Sequence, residues 1–236
     1  MARSIKEEEY SVRRNQILDS AQKLVYTIGY EQMTIQDILN DLSISKGAFY
    51  HYFDSKQALL EGLVDRLLVE AVNGLFPILK DPDLPALEKF HRFFAASSRW
   101  KTDQKEYLLA FTRMWYTDEN ALIRQKVQPA LIQQMNPIFT DVINQGIQEG
   151  VMSTPFPEQA GAVILSLFQA LGDAFIGMYF SDDPGKYTLD QYEGLFAAYT
   201  DAMERTIGLA PGSFQLMDKD TLKEWIDLIQ TSPNLA

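Results

Sequence analysis

Residues 34–56 read TIQDILNDLSISKGAFYHYFDSK, and this stretch decides the fold. Thr34 precedes an apolar stripe of Ile35, Ile38, Leu39 and Leu42, the spacing of a helix with one buried face. The Thr34 hydroxyl is placed to cap free N–H groups, and Asp37, three residues on, completes a capping box. Ser43 and Ile44 interrupt the pattern. Ser45 then caps a helix expected over 46–52, too short to be stable alone. Phe49, Tyr52 and Phe53 are read as the anchors that pin it to a core. Lys46, Gly47, Ala48, Tyr50 and His51 are left facing outward. Two short helices joined by a turn of three to four residues make a helix-turn-helix.

The outward set suits DNA. Lys46 and Lys56 can meet phosphates or guanine edges, and Tyr50 and His51 can reach phosphate oxygens or bases. Gly47 and Ala48 are small, so the backbone can approach a groove. The start of a recognition helix also offers free N–H groups to phosphate.

Upstream, a helix is expected over 12–28, with Ile17, Leu18, Ala21, Leu24, Val25 and Ile28 on one face and Gly29 as its stop. Downstream, Asp54 is expected to cap a helix running to about residue 79, with Gln57 at the box position. The run Asp81-Pro82-Asp83-Leu84-Pro85 is a break. Further helices are expected over 85–100, 104–116, 119–147, 157–181, 188–208 and 218–230. Pro129 and Pro137 should kink or split the third of these, because each removes a donor and crowds the preceding turn. Leu222, Trp225, Ile226 and Ile229 share one face of the last. Strand signals are absent, so the fold class is all-α.

Composition narrows the function. There is no cysteine, which excludes disulfides and thiolate metal sites and points to the cytoplasm. With only His51 and His91, a histidine-rich metal centre is excluded too. No metal and no cofactor is expected. No nucleophile–base pair or phosphate loop is visible, so the chain is not read as an enzyme. Residues 1–9 are charged and without an apolar stretch, so no secretory leader is expected. The most apolar segment, 160–180, approaches membrane-spanning length, but Gln169 and Asp173 interrupt it. A mid-membrane Asp costs roughly 2.5–3.5 kcal/mol. The segment is therefore read as a helix buried on more than one side, and no membrane is expected. The net charge of −11 is uneven: residues 1–66 carry 8 basic and 10 acidic side chains, and most of the excess acid lies beyond them. Phosphate contact needs only a local basic face.

The stretch 14–60 resembles the DNA-binding domain of the tetracycline-repressor (TetR) family. The resemblance is carried in order by Gly29-Tyr30 closing the first helix, Thr34 with Ile38, Ser45-Lys46-Gly47, Tyr50 with Phe53, and Lys56 with Leu59-Leu60. The chain departs from many members at Ser43, where Gly is frequent, and at Leu39, where Ala is frequent. The resemblance implies DNA contacts at Gln36, Lys46, Gly47, Ala48, Tyr50 and His51 and a phosphate at Lys56, with the caps Thr34 and Ser45 counted beside them. It implies a helix-turn-helix domain over 1–56, a helical ligand-binding and dimerisation domain over 57–210, and an extension over 211–236 with one amphipathic helix. Helices near 157–181 and 188–208 would pair two subunits in a four-helix interface. A small-molecule effector would sit among the middle helices, with His91, Phe111, Arg113, Trp115, Gln169 and Asp173 as candidate contacts. The expected function is a ligand-responsive regulator, as a repressor, that binds a palindromic double-stranded operator as a homodimer. The alternative is a protein co-regulator that keeps the fold and no longer binds DNA.

Overall fold

The computed structural model describes residues 2–180 and 186–231, without the side chains of 2–6, 126 and 229–231. Among them the chain forms ten α-helices, one short 3-10 turn and no strand, as the all-α reading expected. In order these are α1 (Ala2–Ile28), α2 (Ile35–Leu42), α3 (Lys46–Tyr50), α4 (Lys56–Lys80), α5 (Ala86–Asp103), α6 (Lys105–Trp115), the 3-10 turn (Asp118–Asn120), α7 (Ala121–Gln148), α8 (Pro157–Tyr179), α9 (Leu189–Ile207) and α10 (Lys219–Thr231).

Three local readings change. α1 starts ten residues before the expected position, because residues 7–13 are exposed and offer only Tyr10 in line with the apolar stripe. The glutamates at 7–9 are good helix formers and prolong the helix beyond its buried face. Ser55, not Asp54, caps α4: the Ala58 N–H donates to Ser55 Oγ at 2.9 Å. α7 is not split at Pro129 or Pro137. Both prolines are exposed, as are Gln125 and Gln133, whose carbonyls lose their helical donors, so water can satisfy what the prolines remove.

The chain divides into two compact units, Met1–Val72 with Gln104–Arg124, and Asn73–Asp103 with Gln125–Ala236. The first is built on Ile17, Leu18, Ala21 and Val25 of α1, which pack with Met33, Ile38, Leu39, Phe49, Phe53, Leu59 and Leu63; Ala110 of α6 joins them. Gly62 lets α4 come close, since a Cβ there would lie 2.9 Å from the Phe53 ring. Arg66 ties α4 to α1: its guanidinium donates to Asp19 at 2.6 Å, to the Leu18 carbonyl at 3.2 Å and to Gln22.

In the second unit α8 and α9 pack along each other, and Phe90, Phe93, Phe94 and Phe139 form an aromatic core. The C-terminal segment joins this core: Phe214 lies 4.9 Å from Phe94, and Trp225 is buried with its Nε1–H donating to Thr102 Oγ1 at 3.2 Å. Glu204 holds the connection. Its buried carboxylate accepts the Gly212 and Phe214 N–H groups at 3.0 and 2.8 Å. At the turn into this segment, Gly208 has φ 67° and a Cβ there would lie 2.2 Å from the Ser153 carbonyl oxygen.

The expectation that the 160–180 helix is buried on more than one side is not met within one chain. α8 is long and apolar enough to cross a membrane by length and composition, with a mean hydropathy of 1.6, yet 28% of that window is buried. α9 covers one side, and Val163 on another stays 44% exposed.

Glu204→Ala strands the buried Phe214 N–H, at about 1–3 kcal/mol, and also removes the acceptor of the half-buried Gly212 N–H. The variant is expected to unfold at lower urea than the parent and to be cut within residues 209–218 by limited proteolysis, where the parent resists.

Candidate nucleic-acid interface

α2 begins in the capping box read from the sequence. The Asp37 N–H donates to Thr34 Oγ1 at 3.2 Å, and the Thr34 N–H donates back to the Asp37 carboxylate at 2.8 Å. Thr34 Oγ1 also donates to that carboxylate at 2.7 Å. These Thr34 donors hold the Asp37 carboxyl below its ordinary range. Asp41, at the other end of α2, ties it to α1 by accepting from Lys23 at 2.7 Å and from Ser20 at 2.8 Å, and both lower its pKa.

The turn depends on Ser43, whose φ of 52° and ψ of 43° are left-handed; it is the non-glycine residue with positive φ among those described. The frequent glycine at this position in the resembled family is thereby explained, and a serine there bears a cost. The Ile44 N–H then closes onto the Leu39 carbonyl at 3.0 Å. Ser45 caps α3 by accepting the Ala48 N–H at 3.2 Å.

α3 is five residues long, with Phe49 fully buried beneath it and Phe53 nearly so. Tyr52 is half-buried and packs against the same core. Lys46, Gly47, Tyr50 and His51 are exposed and Ala48 is half-buried, so the predicted outward face stands free. The Lys46 ammonium lies 5.9 Å from the Tyr50 ring centre. Gln36 is exposed on α2, its amide donating to Asn40 at 2.9 Å. Thr34 and Ser45 spend their hydroxyls on the caps.

Lys56 is more engaged than a free phosphate hook. Its ammonium sits 4.4 Å from the Tyr30 ring centre and donates to the Glu31 carbonyl at 3.2 Å, while Tyr30 Oη donates to the Lys56 carbonyl at 3.2 Å. Partial burial lowers the Lys56 pKa, opposed by the Glu119 and Glu31 carboxylates. Burial, with Glu119 nearby, pushes the Tyr30 phenol up to about 12.

The sequence reading missed Tyr10 and Arg14, and gave Tyr30 no role beyond closing the first helix. Tyr10 lies 4.7 Å from Tyr52 and 5.7 Å from His51, ring to ring, and the Arg14 guanidinium lies 5.0 Å from the Phe53 ring centre. Their signal is the spacing Tyr10, Arg14, Ile17, Ala21, which continues the buried stripe of α1 toward its start.

The six candidate effector contacts are not gathered together; no described cavity holds more than two of them. Gln169 and Asp173 line an open cleft of about 550 Å³ between α7 and α8, with Gln125, Gln128, Gln133 and Asn136. His91 lines a cleft of about 680 Å³ between α5 and the C-terminal segment, its Nε2 2.6 Å from the Ser213 carbonyl oxygen. Phe111, Arg113 and Trp115 belong to α6 in the first unit, where Phe111 stacks on Trp115 at 5.9 Å.

Comparison with known proteins bears on this arrangement. Residues 17–63 match the family model of bacterial regulatory proteins of the tetR family, and residues 111–178 match that of a tetracyclin repressor-like C-terminal domain. The HTH-type transcriptional repressor KstR2 of Mycobacterium tuberculosis is 30% identical over 145 residues, 58% of this chain and 68% of that protein. An uncharacterized HTH-type transcriptional regulator of Bacillus subtilis, YhgD, is 26% identical over 163 residues, 67% of this chain and 82% of the other. Among solved structures, a TetR-family transcriptional regulator from Pectobacterium atrosepticum aligns with a TM-score of 0.63 at 17% identity, covering 86% of this chain and 98% of that one.

Two outcomes follow from the turn and its cap. Ser43→Gly relieves the left-handed strain, offset in part by glycine's larger unfolded entropy. It is expected to raise stability by about 0.5–1 kcal/mol, read from urea midpoints. Because the Asp37 pKa is depressed on folding, its contribution is full above the ordinary carboxylate value of about 4 and is lost as pH falls through the folded value. Denaturation followed by circular dichroism should therefore show a shallower acid loss in Asp37→Asn than in the parent.

Proposed function

The chain belongs to the TetR family of bacterial transcriptional regulators, and from that premise we propose that it is a ligand-responsive repressor that binds a palindromic double-stranded operator as a homodimer. The observation that carries the reading is α3: Phe49 is fully buried behind it, while Lys46, Gly47, Tyr50 and His51 stand exposed in front. A short helix so presented enters the major groove, its polar side chains reaching base edges and phosphates. Gln36 adds a contact from α2. Lys56 fixes the α1–α2 corner through Tyr30 and Glu31, and its remaining donor capacity is free to take a phosphate.

One such helix binds weakly, so the operator is read by two. The uncovered apolar side of α8, with Val163, is the surface that a second subunit would cover, with α9 beside it. The division of labour follows the sequence: 1–56 reads DNA, 57–210 senses and pairs, and 211–236 closes the second unit. The repressor sense is supported by KstR2, named a repressor. The protein works in the cytoplasm, where its DNA is, and performs no catalysis.

The effector is a small molecule held in the helical part, with Gln169 and Asp173 at the α7–α8 cleft as polar contacts. Within the first unit, α6 is tied to the reading elements. Tyr26 Oη of α1 donates to Glu106 of α6 at 2.5 Å, and Ala110 packs on the helix-turn-helix core. A shift of α6 therefore carries α1 and the core with it. A coupling of about 1–3 kcal/mol between the sites is enough to change operator occupancy several-fold or more.

Selection of duplexes from a random-sequence library is expected to recover a palindrome, bound with a steep salt dependence that Lys46→Ala reduces by about one unit of slope. A protein that retains no duplex overturns DNA reading and leaves the co-regulator alternative. Val163→Asp is expected to shift sedimentation from dimer to monomer and to abolish tight binding of the palindrome.

A further inference from the structure

We propose that Tyr10, on the part of α1 that precedes the helix-turn-helix core, is a specificity-positioning residue: its ring fixes the orientation of His51 at the end of the reading helix. His51 is the C-cap of α3, and no further helical turn supports it. Its imidazole meets two rings edge to face, Tyr10 at 5.7 Å and Tyr52 at 5.0 Å, which lie together on one side of it, 4.7 Å apart. Such edge-to-face contacts are the favoured geometry for aromatic pairs.

An exposed side chain at the front of α3 must otherwise give up its rotamer freedom when it meets a base. The three-ring cluster fixes His51 before the duplex arrives, which is worth about two- to ten-fold in affinity for one such side chain. Tyr10 is itself held because it extends the α1 stripe, with Arg14 over Phe53 one turn on and Ile17 in the core. It is 40% exposed and takes no part in the buried cluster, so the core does not need it. The clamp acts at one end of α3 only. Lys46 and Tyr50 contact each other instead, and Tyr10 has no ring contact with Tyr50 among those described. The effect of Tyr10 is therefore confined to what His51 reads.

This inference rests on the DNA-reading function proposed above. The probes are the duplex that the full-length parent protein selects from a random-sequence library and an unselected duplex of equal length, both titrated by fluorescence anisotropy at one salt concentration. Tyr10→Ala is expected to weaken binding of the selected duplex about two- to ten-fold and to leave the unselected one unchanged. Tyr10→Phe keeps the ring and is expected to bind as the parent does. In a His51→Ala background, Tyr10→Ala should cost nothing more. Circular dichroism and the thermal midpoint of each variant report whether the fold is kept. The inference is overturned if Tyr10→Ala binds the selected duplex like the parent, if it loses both duplexes equally, or if its cost adds in full to that of His51→Ala. A parent protein that selects no duplex overturns the DNA-reading function and this inference together.

Discussion

Phe49 is the residue on which the reading surface depends. A helix of five residues cannot repay its own nucleation in water, where the first turn is disfavoured by a factor of about 10⁻³. Burying one phenyl ring contributes roughly 1.5–3 kcal/mol, which is what allows so short a segment to hold its shape. The neighbouring elements create the socket. α1 supplies Ile17, Leu18 and Ala21, α2 supplies Ile38 and Leu39, and α4 supplies Leu59 and Leu63. Phe53 seals the edge, with Gly62 leaving room for its ring.

The polar groups of this unit serve the same end. Thr34, Ser45 and Ser55 each meet free donors at a helix start, so the consecutive short helices begin at fixed residues. Asp41 joins α2 to α1, and Arg66 joins α4 to α1, so the socket is fastened on two sides. The strained backbone at Ser43 is tolerated because the Ile44 N–H closes onto Leu39 and the whole turn is over-determined. The chain's excess acid lies largely outside this unit, so a net charge of −11 is compatible with a DNA-binding helix-turn-helix.

Much of this was legible in the residues. Apolar spacing and Ser/Thr caps placed α2, α3 and the exposed face between them, because both signals act within a turn or two of chain. Other features were not legible, for identifiable reasons. Residues 7–13 of α1 are exposed, and Tyr10 by itself is too little to extend the periodic signal that begins at Ile17. Asp54 and Ser55 are both good caps, and only the geometry of the preceding turn decides between them. The prolines of α7 signalled a break that solvent exposure of the freed carbonyls makes unnecessary. Nothing in the sequence singles out Glu204, because its partners, the Gly212 and Phe214 amides, lie beyond a turn that composition does not describe. The candidate effector contacts fared least well as a set, since aromatic and polar residues on amphipathic helices give no sign of which cavity they face.

α8 carries the argument from structure to regulation. An apolar helix with 28% of its window buried leaves hydrophobic surface in water, a cost that a single chain of this design does not remove. Pairing two copies through α8 and α9 would remove it. The α7–α8 cleft opens beside that same helix, with Ser166, Gln169 and Asp173 on its wall. On the proposed function, a ligand lodged there would press on the same helix that a second subunit would cover. On this reading sensing and pairing are one mechanical property of α8, whose Gly161 lets α7 come close, since a Cβ there would lie 2.7 Å from Asn136 and Thr140.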